Sequence, residues 1–228
     1  PDYSASAVVS DEYVPINIGT DAAFALAMCQ VIIEEDLVHT SFVQSQTDMP
    51  LLVNAETRRF IRGTDIDEEA PEDQFYWWDE KTDSLTAAPR ETLFLNDHVP
   101  ALTGTFDLKT RDYDDIKATT VYQLLLDRLE DYTPEKASEI CGVNPDTIRN
   151  LARQIASKRT KIVEGFNTAK YYHGDLMERA MCLVLALTSN WGRPGTGIQG
   201  LALAGLDGYQ IFGMKQKRGI QETTGVID

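Results

Sequence analysis

The sequence predicts an α/β fold. Three observations predict it. Near the start, a short apolar run (residues 13–18, YVPINI) leads through a Gly-Thr-Asp turn into an Ala-rich apolar stretch of helical spacing. Near the end the same order recurs: "TKIVEG", a polar loop, then "LMERAMCLVLAL". Between them, from about residue 51 to 121, the pattern is one of hairpins. A buried strand, a turn and a helix make half of a βαβ unit, and two such halves point to α/β.

Taken in order, residues 13–18 read as a short strand. Residues 22–36 (AAFALAMCQVIIEED) follow as a helix, with Thr20 or Asp21 as its cap. "LLVNAETRRFI" and "FYWWDEKTDSL" read as hairpins with polar turns at "AET" and "EKTD". Adjacent strand residues face opposite ways, so Trp77 and Trp78 lie on different faces. Helical pattern resumes at "TTVYQLLLDRLEDY". In the next segment Thr133 caps, Pro134 takes the first helical position and Gly142 ends the helix. Asn144 and Pro145 repeat that grammar, and Ile148, Leu151, Ala152 and Ile155 then line one face. "TKIVEG" is a strand. Leu176, Ala180, Leu183, Val184 and Leu187 keep helical spacing, with Asp175 as cap and Glu178 completing a capping box. "NWGRPGTG" then breaks the helix.

A chain of 228 residues allows one large domain or two small ones. With 43% hydrophobic and 25% charged residues it is ordinary for a globular protein. Its net charge of −15 is not ordinary, and argues against a nucleic-acid partner, which needs clustered Lys and Arg. The acidic run "DIDEEAPED" reads as a solvated loop. Cys29, Cys141 and Cys182 are far apart and show no C-x-x-C spacing. They read as small buried hydrophobes, so no zinc or iron–sulfur site is expected from these residues. No apolar run has membrane-spanning length, and no signal peptide is visible. Both ends read as cuts through a larger protein.

Four segments carry candidate chemistry. In "IGTDAAF", Gly19 before a helix start lets a ligand approach the backbone, and Asp21 offers two acceptor oxygens. The alternative is a plain helix cap. In "VEGFN" the strand ends at Glu164 and Gly165, without the glycine fingerprint of NAD-binding folds. The loop "FNTAKYYHGD" holds Lys170, a donor for an oxyanion, and His173, a donor or proton shuttle. Its alternative is a surface loop. In "NWGRPGTG", Arg193 and a glycine-rich path suit an anion, or simply end a helix.

Together the segments "PDYSASAVVSDEYVPINIGTDAAFALAMCQVIIEEDL", "TDMPLLV", "YTPEKASEICGV" and "GFNTAKYYHGDLMERAMCLVLALTSNWGRPGTG" resemble catalytic alpha subunits of the dimethyl sulfoxide reductase family of molybdopterin oxidoreductases. The likeness is strongest to the branch of nitrate, selenate and chlorate reductases and dimethyl sulfide and ethylbenzene dehydrogenases. It covers most of the chain outside the hairpin region.

The resemblance implies Rossmann-like parallel-sheet domains, as parts of two cofactor-binding domains, with a β-rich insert. Residues 1–125 would belong to one molybdopterin-guanine-dinucleotide domain. Residues 126–228 would belong to a second, with an active-site loop at 164–175. It implies molybdenum held by two molybdopterin guanine dinucleotides, with Asp2, Tyr3, Ser4, Gly19, Thr20, Asp21, Glu164, Gly165, Thr168 and Arg193 as cofactor-binding candidates. Lys170 and His173 become the catalytic candidates, and no residue here is a metal ligand. Nitrate reductases carry His where this chain has Lys170, which favours a dehydrogenase or a reductase of another substrate.

The [4Fe–4S] cluster of the intact subunit and the Asp that ligates molybdenum would lie upstream of Pro1. The expectation is thus an internal fragment, inactive alone. The whole enzyme would do two-electron oxygen-atom transfer or hydroxylation on a small-molecule substrate in anaerobic respiration or catabolism. Its expected partners are an iron–sulfur electron-transfer beta subunit and, as a second candidate, a haem gamma subunit. The expected compartment is the periplasm, with the cytoplasmic face of the membrane as the alternative. The competing expectation is a non-catalytic acidic α/β binding domain. The two separate on one geometric point: the first requires the 2–4, 19–21 and 164–170 segments to converge on one crevice.

Overall fold

The structure is a computed structural model that describes residues 3–90, 92–112, 115–165 and 168–200. The elements run α1 (Ala5–Val8), α2 (Asp21–Glu34), α3 (Thr40–Gln46), β1 (Leu52–Asn54), α4 (Gly63–Ile66), β2 (Tyr76–Asp79), β3 (Ser84–Ala87), β4 (Thr105–Leu108) and β5 (Ile116–Thr120). They continue as α5 (Val121–Leu129), α6 (Pro134–Cys141), α7 (Pro145–Ser157), β6 (Lys161–Val163), a 3-10 turn (Thr168–Lys170), α8 (Gly174–Leu187) and β7 (Gly197–Gln199).

A helical layer organises the molecule around α2. That helix is apolar on most sides, and α6, α7 and α8 all pack against it. Its alanines allow this, because short side chains let neighbouring helices approach. The resulting core includes Ala27, Cys29, Ile32, Cys141, Ile148, Ala152, Val184 and Leu187. It therefore draws α2 from before residue 125 and α6 to α8 from after it. As the spacing predicted, Ile148 and Ala152 are buried, and Leu151 and Ile155 pack against the same core. Cys29 and Cys141 are buried and Cys182 is half-buried, all as free thiols.

The caps around α6 and α7 follow the sequence. Thr133 accepts from the Lys136 N–H at 3.3 Å, and Asn144 accepts from the Asp146 N–H at 2.8 Å. Gly142 ends α6 in the left-handed region, at φ 75°. Residues 13–18 differ from expectation, because they form no strand. Asn17 instead donates from its backbone N–H to Cys141 O at 2.9 Å and from Nδ2 to Ile140 O at 3.0 Å. These bonds dock the segment on the end of α6. Pro15, with no N–H to give to a ladder, sits within the same run.

Three sheets complete the described fold. The sheet β1-β5-β4 is antiparallel, the β2-β3 hairpin is antiparallel, and β6 pairs with β7 in parallel. The mixed architecture agrees with an α/β class, although most pairings are antiparallel. Short turns such as residues 80–83 can join only antiparallel strands. The one parallel pair has α8 as its crossover, the arrangement a parallel connection needs. Trp77 is buried while Trp78 stacks on Phe106 with centroids 4.6 Å apart, so the two indoles do face opposite ways.

The hairpin region is pinned by a buried carboxylate. Asp79 is fully buried and meets His98 Nδ1 at 2.6 Å, and it accepts from the Val99 N–H at 3.1 Å and the Lys81 N–H at 3.0 Å. The His98 bond first, then the Val99 N–H, hold its carboxyl well below the usual carboxylate range. A lowered folded-state pKa means the contribution is present above the unfolded value near pH 4 and is lost as pH falls through the folded one. Asp79→Asn is therefore expected to lower Tm by several degrees at pH 7. The gap to wild type should shrink as the pH drops below about 4, as read by thermal melts across pH.

Candidate functional site

The site is built where β6 and β7 end together. Val163 pairs with Gln199, and the Glu164 N–H donates to Gln199 O at 3.0 Å. The chain then turns tightly. Thr168 donates to Gly165 O from both its N–H, at 3.2 Å, and its Oγ1, at 3.0 Å. The turn Thr168–Lys170 lies against α8, and the Gly174 N–H donates to Tyr171 O at 2.8 Å. A Cβ at Gly174 would come within 2.5 Å of Thr168 O and of the Ala169 carbonyl carbon. Only glycine lets the turn sit so close.

His173 occupies the N-cap position of α8 at φ 59°, with no side-chain cap bond. Its ring centroid lies 4.0 Å from that of Tyr172. Asp175 is thus not the cap that the sequence pattern gave. The left-handed turn at His173 starts the helix earlier and places Asp175 inside its first turn, where its charge still favours the helix start.

The second wall is the start of α2. Thr20 donates its Oγ1 to Asn17 O at 2.7 Å, so its side chain is turned back and does not cap the helix. Gly19 has φ +78°, and a Cβ there would lie 3.7 Å from Tyr171 Cδ1. That proximity joins the 19–21 turn to the 168–175 loop. At the other end of the same pair of helices, the His39 N–H donates to Leu187 O at 2.8 Å. Hence α2 and α8, each of 14 residues, run parallel with their N-termini side by side. Neither start is closed by a side-chain cap. At α8 the Gly174 and Leu176 N–H groups are taken up by Tyr171 O and His173 O, so it is the positive ends of the two helix dipoles that are brought side by side. Around them Ile18 is 71% exposed, Val163 59%, Leu176 51% and Tyr172 90%, an apolar rim of a kind that a bound body would cover.

Glu164 directly follows β6 and faces the α8 side, where Glu178 and Cys182 are its neighbours. Its Oε1 is buried and has no hydrogen-bond partner among the described residues. Burial first, and then the charge of Glu178, push its carboxyl above the ordinary range. The Cys182 thiol is raised by burial and by the same two carboxyls, Glu164 and Glu178.

The remaining sequence candidates fall as follows. Lys170 is exposed at the end of the 3-10 turn. Asp21 is half-buried in the first turn of α2. Tyr3 stands edge-on to Tyr13, with centroids 5.1 Å apart, and Ser4 O accepts from the Ala7 N–H at 3.0 Å as α1 begins. Asp2 lies outside the described residues, as do Phe166 and Asn167 of the loop. Arg193 is not brought to the crevice. It follows the C-terminal end of α8, about 20 Å along that helix from His173 at 1.5 Å per residue, and contacts the Ser189 hydroxyl. Its neighbour Asn190 is a buried tie. Asn190 accepts from the Thr160 N–H at 2.8 Å and donates to Ile155 O at 3.2 Å. Sequence reasoning did not find Gly174, nor the nearness of Glu178 and Cys182 to Glu164. The Gly before a helical run was the only signal for the first. For the second, Glu178 and Cys182 share a helix face at i, i+4 spacing.

The described residues thus bring together the end of one parallel strand pair, the 168–170 turn on α8 and the start of α2. No protein-family model matches the chain. It is 34% identical over 202 residues to the dimethylsulfide dehydrogenase alpha subunit of Rhodovulum sulfidophilum, spanning 86% of this chain and 22% of that one. It is 34% identical over 225 residues to the perchlorate reductase alpha subunit of Dechloromonas aromatica, across 87% and 24% of the two chains. The respiratory nitrate reductase alpha subunit of Haloferax mediterranei is 33% identical over 213 residues, across 86% and 22%. In three dimensions, acetylene hydratase from Pelobacter acetylenicus overlaps 84% of this chain and 17% of its own, at 18% identity and a TM-score of 0.46. That spatial likeness is too slight to carry an argument. The chain belongs to the dimethyl sulfoxide reductase family and corresponds to part of a catalytic alpha subunit. It spans between a fifth and a quarter of the length of the relatives it matches, at 22% to 24%.

Proposed function

We propose that the chain is a cofactor-binding part of the alpha subunit of a molybdenum oxidoreductase. The whole enzyme carries out two-electron oxygen-atom transfer or hydroxylation on a small molecule, in anaerobic respiration or catabolism. The observation that carries this is the start of α2, which has no side-chain cap and is set against the 168–171 turn where Gly19 meets Tyr171. A dinucleotide brings phosphate oxygens, which the N–H groups of a helix start receive, and apolar ring faces, which the exposed rim covers. The buried, unpartnered Glu164 Oε1 also fits a group that completes its hydrogen bonding.

In this reading Gly19, Thr20 and Asp21 hold one guanosine end, with the Asp21 carboxylate accepting from the base. Tyr3 and Ser4 are assigned to the same dinucleotide. Glu164, Gly165 and Thr168 face the second wall. When bound, the molybdenum and its two pterin dinucleotides supply the two-electron redox chemistry. Lys170 offers an ammonium to an oxyanion at the lip of the crevice, and His173 holds or moves a proton beside Tyr172. Rossmann-like sheets would be completed by strands that pair onto β6 and β7. The alpha-subunit names of the relatives support partner subunits, of which an iron–sulfur electron carrier and a haem subunit are the proposed ones. The [4Fe–4S] cluster of the intact subunit is assigned upstream of this chain. The periplasm is the proposed compartment, which cell fractionation would test.

The test is Gly19→Val in the full-length subunit. A β-branched residue in the left-handed region is strained, and its branch would press on Tyr171. Molybdenum and releasable guanine nucleotide should each fall by roughly tenfold per 1.4 kcal/mol of lost binding, while the circular dichroism spectrum is kept. A wild-type enzyme containing neither molybdenum nor guanine, or a variant that retains both in full, would refute the proposal.

A further inference from the structure

The cleft at the opposite end of the α2–α8 pair has a different chemistry. It has a volume of about 780 Å³ and is walled on one side by Phe42, Ser45 and Gln46 of α3, and on the other by Trp191 and Arg193, with His39 at its head. No Asp or Glu lines it. In a chain of net charge −15 that is unusual, and two other clefts on the described surface do carry carboxylates, Asp48 and Asp73 in one and Asp65, Glu72 and Asp112 in the other. The Arg193 guanidinium rests on the Ser189 hydroxyl and meets no carboxylate among the described residues. His39 Nδ1 accepts from the Phe42 N–H at 3.3 Å, so in the neutral ring the proton sits on Nε2. His39 and Arg193 are thus both hydrogen-bond donors. At Gly192 a Cβ would meet nothing within 4 Å, so the backbone there is open to an approaching chain.

We infer that this cleft is a docking groove for an extended, carboxylate-bearing segment of a partner polypeptide. Its volume far exceeds that of an inorganic ion. Trp and Arg, with a carboxylate-free lining, are the residues that dominate binding energy at protein interfaces. The partner's carboxylate pairs with Arg193, its backbone passes over Gly192, and Trp191 and Phe42 supply the apolar contact. The inference rests on the proposal that the chain is part of a multi-subunit enzyme. It assigns Arg193 to subunit contact in place of cofactor phosphate.

The test uses the full-length subunit in complex with its partners. A photoreactive phenylalanine analogue is placed at Gln46, the complex is irradiated, and the cross-linked peptide is identified by mass spectrometry. The expected product joins Gln46 to a segment of another subunit that contains Asp or Glu. A product confined to the same subunit, a product with a segment lacking acidic residues, or no product would overturn the inference. In parallel, Arg193→Gln should weaken subunit association by roughly tenfold or more, equivalent to 1.4 kcal/mol, and flatten its salt dependence. Arg193→Lys should restore part of both. Unchanged association in Arg193→Gln would also overturn it. Molybdenum content, measured on the same samples, reports the cofactor proposal separately: its absence from wild type would sink that proposal and leave the cross-link informative.

Discussion

Gly174→Ala is expected to destabilise the subunit by about 1–3 kcal/mol, the usual range for overpacking, and, if the proposed cofactor site holds, to lower the molybdenum content. The atoms that a new methyl would meet are backbone: Thr168 O and the Ala169 carbonyl carbon at 2.5 Å and Ala169 O at 2.6 Å. A flexible side chain could swing away, but these atoms belong to the 3-10 turn itself. The turn must move off α8, carrying Thr168 and Lys170 with it. Hydrogen–deuterium exchange should rise across residues 168–173, and molybdenum content should fall. Gly165→Ala is the control for the fold. Its Cβ would lie 3.9 Å from Thr168 Oγ1, an ordinary contact, so Tm should be nearly unchanged. If Gly174→Ala kept wild-type exchange in 168–173, the close packing of turn and helix would be wrong.

The second large effect is expected from Ile32→Ala. Ile32 is fully buried in the middle of the helical core, among side chains from both halves of the chain. Truncation there removes apolar burial and leaves a cavity that surrounding helices cannot close, at about 2–5 kcal/mol. For a domain of this size each kcal/mol corresponds to about 2–4 °C in Tm. The loss should reach the site as well, because α2 carries Gly19 to Tyr171. A thermal melt, together with molybdenum content, reads both. Ile32→Val, which removes one methylene, should cost about 0.5–1.5 kcal/mol. If the two variants melted together, the burial at Ile32 would be in error.

These two residues differ in how far the sequence announced them. Ile32 was legible, since an apolar residue in a long apolar helical run is buried in any plausible packing. Gly174 was not, since its importance comes from a turn that folds back onto it. The caps show the same divide. Thr133 and Asn144 act on N–H groups two or three residues away, and the sequence placed both. At α8 the pattern nominated Asp175, but the left-handed turn at His173 moved the helix start. At residues 13–18 the apolar run resembled a strand, but docking of Asn17 on the end of α6 took up its backbone groups.

What the sequence determined by itself was what local chemistry decides: the helix periods, the caps of α6 and α7, the opposed faces of Trp77 and Trp78, and, through its motifs, the family. Only the tertiary structure decided which of the polar segments meet. It set α2 and α8 side by side and parallel, so that Gly19 approaches Tyr171 at one end while Arg193 and His39 share a cleft at the other. The physical reason is that a helix's own sequence fixes which face is apolar, not which neighbour covers it or in which direction that neighbour runs. Both follow from how the whole core closes.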